Sequence, residues 1–323
     1  MRVKIMLLAQ KEEAQKYLQQ ISQELDADIF VFDADMEHTE VNCLIKKVKE
    51  IRNYSQSKSN VALFLTTYGG DLNSAYRLAR FLKKNYKKLI LFIFWRCKSA
   101  GTLLSIASDE IVMSDSGELG PLDVQVMKDG DIATESGLNI QQSLKVISEQ
   151  APKMFDQVLS GIYFSDSGLR KIVPLKVLED IAARITINLL APISTQIQPA
   201  RLGELEREIS VARDYGTRLN KDRRKITEQL ITDYPSHGFV IDYEEVRELF
   251  GDCVREPEET EINLQKLISE IAYENYELIG SLEKLLEETP VEDEVEIQND
   301  SNDDINDSDN NRVQVNTEET VAA

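Results

Sequence analysis

The chain has 323 residues, of which 57 are acidic and 37 basic, giving a formal net charge of -20 with 42% hydrophobic residues. That length supports a core larger than one typical domain, and the acidic balance argues against a nucleic-acid partner. Cys43, Cys97 and Cys253 are too few and too scattered for a disulfide framework or a zinc site, which points to a reducing compartment. No apolar run approaches the ~20 residues that span a bilayer, and the opening MRVKIMLLAQKEEAQ turns acidic too early for a secretory signal. A cytoplasmic protein without an integral membrane segment is expected.

Residues 1–27 read as an N-terminal extension, a short apolar start followed by a polar helix. From residue 28 onward, short apolar runs alternate with helical patterns. VALFL, Val61 to Leu65, predicts a buried strand, and the segment after it places Leu72, Ala75, Leu78, Ala79 and Leu82 at helical spacing. Asp71 suits the cap of that helix and Lys83 and Lys84 its last turn. Gly69 and Gly70 stand between strand and helix, where a missing Cβ lets the backbone take φ > 0 and lets a ligand approach the peptide N–H groups. Glycine pairs at such turns are common, and on their own they are a weak signal.

LILFIFW, Leu89 to Trp95, is a continuous apolar run of the kind a parallel sheet covered on both faces requires. Ala100 to Ala107 predicts a short helix, and EIVM, Glu110 to Met113, returns to strand. Ser99 therefore falls at a strand's carboxyl end and a helix's start, where unpaired N–H groups and the helix dipole favour negative charge. The nucleotide signatures G-x-G-x-x-G and G-x-x-x-x-G-K-[ST] are both absent, no metal-ligand cluster appears, and no cofactor is called for. Acyl chemistry fits what is present: Ser99 as nucleophile, with the N–H of Ala100 and of Gly69 or Gly70 as oxyanion donors.

Gln125 to Gly137 is polar with two glycines and reads as a mobile loop over the site, and residues 138–250 are mostly amphipathic helix, including one long helix around LGELEREISVARDYGTRLNKDRRKITEQLI. Asp242 and Glu245 predict a capping box after SHGFVID. Leu264, Ile268, Ile271, Asn275, Leu278, Leu282 and Leu285 alternate by four and three, a heptad seam over residues 256–286. A coiled coil is one reading of it; docking on the protein's own body is the preferred one at so short a length. Residues 287–323 carry 13 acidic side chains and one arginine, hence 12 of the 20 net negative charges, and read as a disordered acidic tail.

Three blocks, LFLTTYGGDLNSAYRLARFL, KSAGTLLSIASDEIVMSDSGELGPLD and YPSHGFVIDYEEVRELFG, occur in order over roughly residues 28–255. Together they resemble the serine dehydrogenase proteinase family, a branch of the Clp protease/crotonase-like fold related to signal peptide peptidase A. The resemblance implies an α/β core of repeated ββα units with extra C-terminal helices, forming a serine peptidase domain over residues 28–255. It also implies protein or peptide substrates and assembly into homo-oligomers. Ser99 is then the nucleophile and the Gly69–Gly70 turn part of the oxyanion hole. Tyr68 departs from the proline usual in relatives. At the position where the Clp proteolytic subunit carries its histidine this chain has Gly120, so the base lies elsewhere. His237, oriented by Asp123, is the first candidate and Lys145 the alternative. His38 in MEHTE reads as a surface residue, and Lys98 as a polar residue at a loop edge. Competing readings are a crotonase-fold acyl-CoA enzyme, which needs the same donors without the serine, and a non-catalytic scaffold.

Overall fold

The computed structural model describes residues 6–53, 57–122, 125–127, 134–165, 171–195, 199–272, 277–289 and 291–292. In chain order the first half runs β1 (Met6–Leu7), α1 (Leu8–Glu24), β2 (Ala27–Asp33), α2 (His38–Arg52), β3 (Asn60–Thr66), α3 (Leu72–Asn85), β4 (Leu89–Ile93), β5 (Arg96–Cys97), α4 (Ala100–Ala107), β6 (Glu110–Met113) and β7 (Glu118–Leu119). There follow β8 (Gln125–Met127), β9 (Thr134–Ser136), α5 (Gly137–Tyr163), α6 (Leu175–Ser194), α7 (Pro199–Leu219), α8 (Arg224–Thr232), α9 (Tyr243–Phe250), β10 (Val254–Arg255), α10 (Glu259–Ala272), β11 (Leu278–Ser281), α11 (Leu282–Glu288) and β12 (Val291–Glu292). The class is α/β, as the alternating pattern requires.

Six strands form the central sheet in the order β10-β6-β4-β3-β2-β11, parallel except for β11, which runs antiparallel to β2. The inner strands are apolar at consecutive positions because helices cover both faces. Toward one face Leu63, Leu65, Leu91 and Ile93 pack with the apolar sides of α2, α3, α4 and α7 to α9; toward the other Ala62, Phe64, Ile90 and Phe92 meet α1, α10 and α11. Phe64 and Phe92 stack across β3 and β4 at 4.4 Å between ring centroids.

A second, minimal ladder lies beyond the carboxyl ends of these strands. β5 pairs in parallel with β7, and single bridges join Met36 to Gly70, Thr67 to Cys97 and Leu119 to Ile241. Each of three successive units thus has a long strand, a short strand segment and then either a helix or the next turn, which is the ββα repeat the resemblance implied. The short segments carry the glycine pair and lead directly into Ser99.

The predicted helices α3 and α4 form as expected, and Asp71 caps α3 by accepting from the N–H groups of Asn73 and Ser74. Asp242 caps α9 through the Glu245 N–H, while the Glu245 carboxylate accepts from the Tyr234 hydroxyl instead of closing a capping box.

Four expectations need correction. The apolar run ends as a strand at Ile93, and Trp95 is 52% exposed beyond it. Gln125 to Gly137 is not wholly loop, because β8 and β9 pair antiparallel within it; six residues of strand are too few to show a period in sequence. The long helix is broken at Asn220, whose side chain accepts from the Asp222 N–H and starts a separate turn before α8. The heptad seam is not one helix. α10 stops at Ala272 and β11 adds to the sheet edge beside β2, while Asn275 lies outside the described residues. Leu264, Ile268, Ile271, Leu278 and Leu282 are all buried with Ala14, Leu18 and Ile21 of α1, so this apolar set packs on the protein's own body. Acidic residues 293–323 lie outside the described residues.

Candidate active site

Ser99 occupies the turn from β5 into α4 with φ +48 and ψ -113. A non-glycine residue there stores on the order of 1–3 kcal/mol of backbone strain, and sharp strand-to-helix turns of this kind expose a nucleophile. Serine at a helix N-cap ordinarily turns its hydroxyl back onto the first-turn amides. This one does not: it makes no capping bond, and among the described residues its Oγ has no hydrogen-bond partner.

The turn is held from several sides. The Lys98 N–H donates to Thr67 O (3.0 Å) and the Thr67 N–H to Arg96 O (2.8 Å), tying β5 to the end of β3. Buried Thr102 donates its hydroxyl to Gly120 O (2.8 Å) and Cys97 O (3.2 Å). Gly101 has no room for a side chain, since a Cβ would sit 2.5 Å from Thr67 Cγ2.

The glycine pair meets this turn at close range. Gly69 has φ +120, and a Cβ on it would lie 2.8 Å from Ser99 Cβ and 3.3 Å from Ser99 Oγ. Its N–H donates to Thr67 Oγ1 (3.1 Å) and its carbonyl accepts from the Met36 N–H (2.6 Å). Because a trans peptide directs N–H and C=O to opposite sides, fixing the Gly69 carbonyl on Met36 turns the Gly70 N–H away from Met36. Neither Gly70 N–H nor Ala100 N–H has an acceptor among the described residues, and Ala100 opens α4. Of the two glycines predicted as oxyanion donors, Gly70 is therefore the one with a donor to offer. Tyr68, in place of proline, is 63% exposed and has the Arg96 guanidinium 4.2 Å over its ring, which steadies the turn by stacking.

Lys98 is not a loop-edge residue. Its side chain is 11% exposed, and its Nζ lies 3.1 Å from a Glu118 carboxylate oxygen, with Phe239 O at 3.3 Å and Leu119 O at 3.4 Å. It crosses the face of Gly120, where a Cβ would come within 2.7 Å of its Cδ. A side chain at position 120 has no room, because the space belongs to the lysine stem. Lys98 also fastens the segment after His237 to the site. Phe239 accepts from it, and Ile241 exchanges both backbone bonds with Leu119 at 2.9 and 3.0 Å.

His237 is half-buried in the turn closed by the Phe239 N–H on Ser236 O, two residues before the carbonyl that Lys98 holds. Asp123 lies outside the described residues. Lys145 is exposed on α5, a helix that packs on α6. His38 is on the surface with Asn42 and Arg77 as neighbours. Cys97 offers no rival nucleophile, because burial pushes its thiol up to about 12 despite the nearby Lys98 charge.

A cavity of about 920 Å³ lies on the opposite side of the sheet, between Phe64, Phe94 and α10, and contains neither Ser99 nor the glycines. Among the described residues no helix is long and apolar enough to cross a membrane.

No protein-family model matches the chain, and no curated protein matches it. Solved structures do. A lysine-to-alanine mutant of the 1510-N membrane-bound stomatin-specific protease, in complex with a substrate peptide, is similar over 73% of this chain and 77% of that one, at 11% identity and a TM-score of 0.42. A serine-to-alanine mutant of the same protease matches over 48% and 68%, at 11% identity and 0.29. The ClpP protease catalytic domain from Plasmodium falciparum matches over 35% and 63%, at 11% identity and 0.25. At these values the likeness assigns no activity to the chain.

Proposed function

We propose that the chain is a serine peptidase of the Clp/crotonase-like type that cleaves peptide bonds through an acyl-enzyme on Ser99. The observation that carries this reading is the strained, uncapped Ser99 beside the unengaged N–H groups of Gly70 and Ala100. An acyl-CoA enzyme of the same fold, or a scaffold, has no use for a hydroxyl held at such a turn.

In this reading Ser99 Oγ attacks the substrate carbonyl carbon while its proton passes to His237. The carbonyl π pair moves onto oxygen, and the two backbone donors stabilise that oxyanion. Collapse breaks the C–N bond, and the leaving amine takes the proton from the imidazolium. Water then attacks the Ser99 ester by the same route and releases the acid. Asp123 orients the imidazole, and Lys98 acts as a positioning residue by holding the Phe239 segment against the nucleophile's loop.

The assignment of the base is tested by two substitutions in the full chain with a casein-like substrate. His237→Gln loses at least about a hundredfold in kcat, and Lys145→Met much less. Turnover by the unsubstituted protein rises with pH as the base loses its proton, since the imidazole works only when neutral. The reverse order of losses, in folded proteins, assigns the proton to the lysine instead.

A further inference from the structure

Helix α6 has an unusual surface. Its stripe Leu178, Ala182 and Thr186 is buried, and its main packing partner is α5. The same stripe continues at helical spacing to Leu189 and Ile193, but these are 54% and 49% exposed. Beside it Val177, Ile181 and Ile185, each four residues apart, are about two-fifths exposed, and on the far side Ile187 is 64% exposed. From Ile185 through residue 200 there is no charged side chain. A helix apolar on more than one face belongs in an interior, and a contiguous exposed patch of this kind marks a contact surface.

We propose that α6 is the contact between two copies of this chain, the uncharged half of one helix lying on that of its counterpart. Three arguments select a second copy. First, the chain carries a net charge of -20, so like-charged copies meet most easily through surface free of charge, and the end of α6 is such a surface. Second, a lipid surface is engaged by helices with a cationic polar face. The four charges at the start of α6, Lys176, Glu179, Asp180 and Arg184, sum to zero. Third, the exposed apolar side chains that share one side of the helix, Val177, Ile181, Ile185, Leu189 and Ile193, present on the order of 400 Å² per copy, an apolar centre for an interface to which each partner contributes ~800 Å². This names the surface for the self-association implied by the sequence resemblance, and it stands whether or not the peptidase reading does.

The test is sedimentation velocity with light scattering on the full chain at micromolar concentration. The unsubstituted protein is expected to be dimeric or larger. A double Ile185→Glu, Leu189→Glu variant is expected to associate at least about a hundredfold more weakly, since each copy would bury two unpaired charges. Its far-UV circular dichroism should be unchanged, because within a single copy both side chains are exposed, while its melting should fall only by what the lost association contributed. A milder Ile181→Gln, Ile185→Gln variant guards against misfolding and should weaken association in the same direction. A monomeric unsubstituted protein, or variants that assemble as it does, overturns the proposal. So does a monomer that floats with phosphatidylcholine vesicles and loses that binding on the same substitutions, which would make α6 a lipid contact.

Discussion

Replacing Gly69 with alanine perturbs the site by one methyl group at the place where the structure has least room. The backbone φ of +120 is one that L side chains rarely adopt, and this alone costs about 1–3 kcal/mol. The added Cβ would lie 2.8 Å from Ser99 Cβ, so the serine turn must yield as well, and its anchors to Thr67 and Gly120 resist that. A total of about 2–4 kcal/mol corresponds to a fall of roughly 5–15 °C in melting temperature, taking ~2–4 °C per kcal/mol for a protein of this size. The displaced nucleophile should also react about a hundredfold more slowly, as misplacements approaching 1 Å do. Scanning calorimetry and the rate of modification by a fluorophosphonate read the two effects separately. Gly203→Ala is the control: nothing lies within 4 Å of a Cβ there, it sits inside α7, and it should raise stability by up to ~1 kcal/mol. A Gly69→Ala protein that melts and reacts like the unsubstituted one would refute the close approach of the glycine turn to Ser99.

Burial raises the Asp33 carboxyl above its ordinary range, against an opposing pull from Arg96. The folded state therefore holds that proton more tightly than the unfolded chain, and ionised Asp33 weakens folding as pH rises. Asp33→Asn should melt higher than the unsubstituted protein at pH 7, and the difference should close as pH falls below ~4; an unchanged or lower melting temperature at pH 7 contradicts the burial account. Arg255 binds Glu261 through two nitrogens at 2.7 and 2.8 Å and Glu110 at 2.7 Å, and Glu261 is almost fully buried. Arg255→Met should cost about 3 kcal/mol by leaving that carboxylate unpaired, and Arg255→Lys should recover only part because it lacks the planar fork, both read by urea denaturation.

Much of the positioning scaffold was legible in sequence because it depends on local chemistry. Asp71 caps α3 with its own side chain, and Leu78, Ala79 and Leu82 recur at the spacing that buries them. The turn at Ser99 follows from one apolar strand giving way to one helix. What the residues did not disclose depends on distant partners. Thr67 and Met36 decide that Gly69 is engaged and Gly70 is not, through bonds between separate units of the fold. Lys98 looked like a loop edge because Glu118 and Phe239, which bury it, are 20 and 141 residues away in sequence. The single bridges of the small ladder are too short to have any period. β11 was hidden by coincidence: Leu278 and Leu282 fit a heptad spacing, yet Leu278 lies in the strand and Leu282 opens the next helix. Short apolar spacings suit strand and helix alike, and tertiary packing chose.

The central claim is that Ser99 is a nucleophile set between two backbone donors. The most direct measurement is reaction of the purified full chain with a fluorophosphonate, followed by mass spectrometry of its peptides, alongside Ser99→Ala. The account predicts one adduct, on the peptide carrying Ser99, and none on the alanine protein, which should remain folded because a half-buried turn loses only one hydroxyl that bonds to nothing among the described residues. Equal modification of the Ser99→Ala protein, or peptide hydrolysis that persists in it undiminished, would contradict the account.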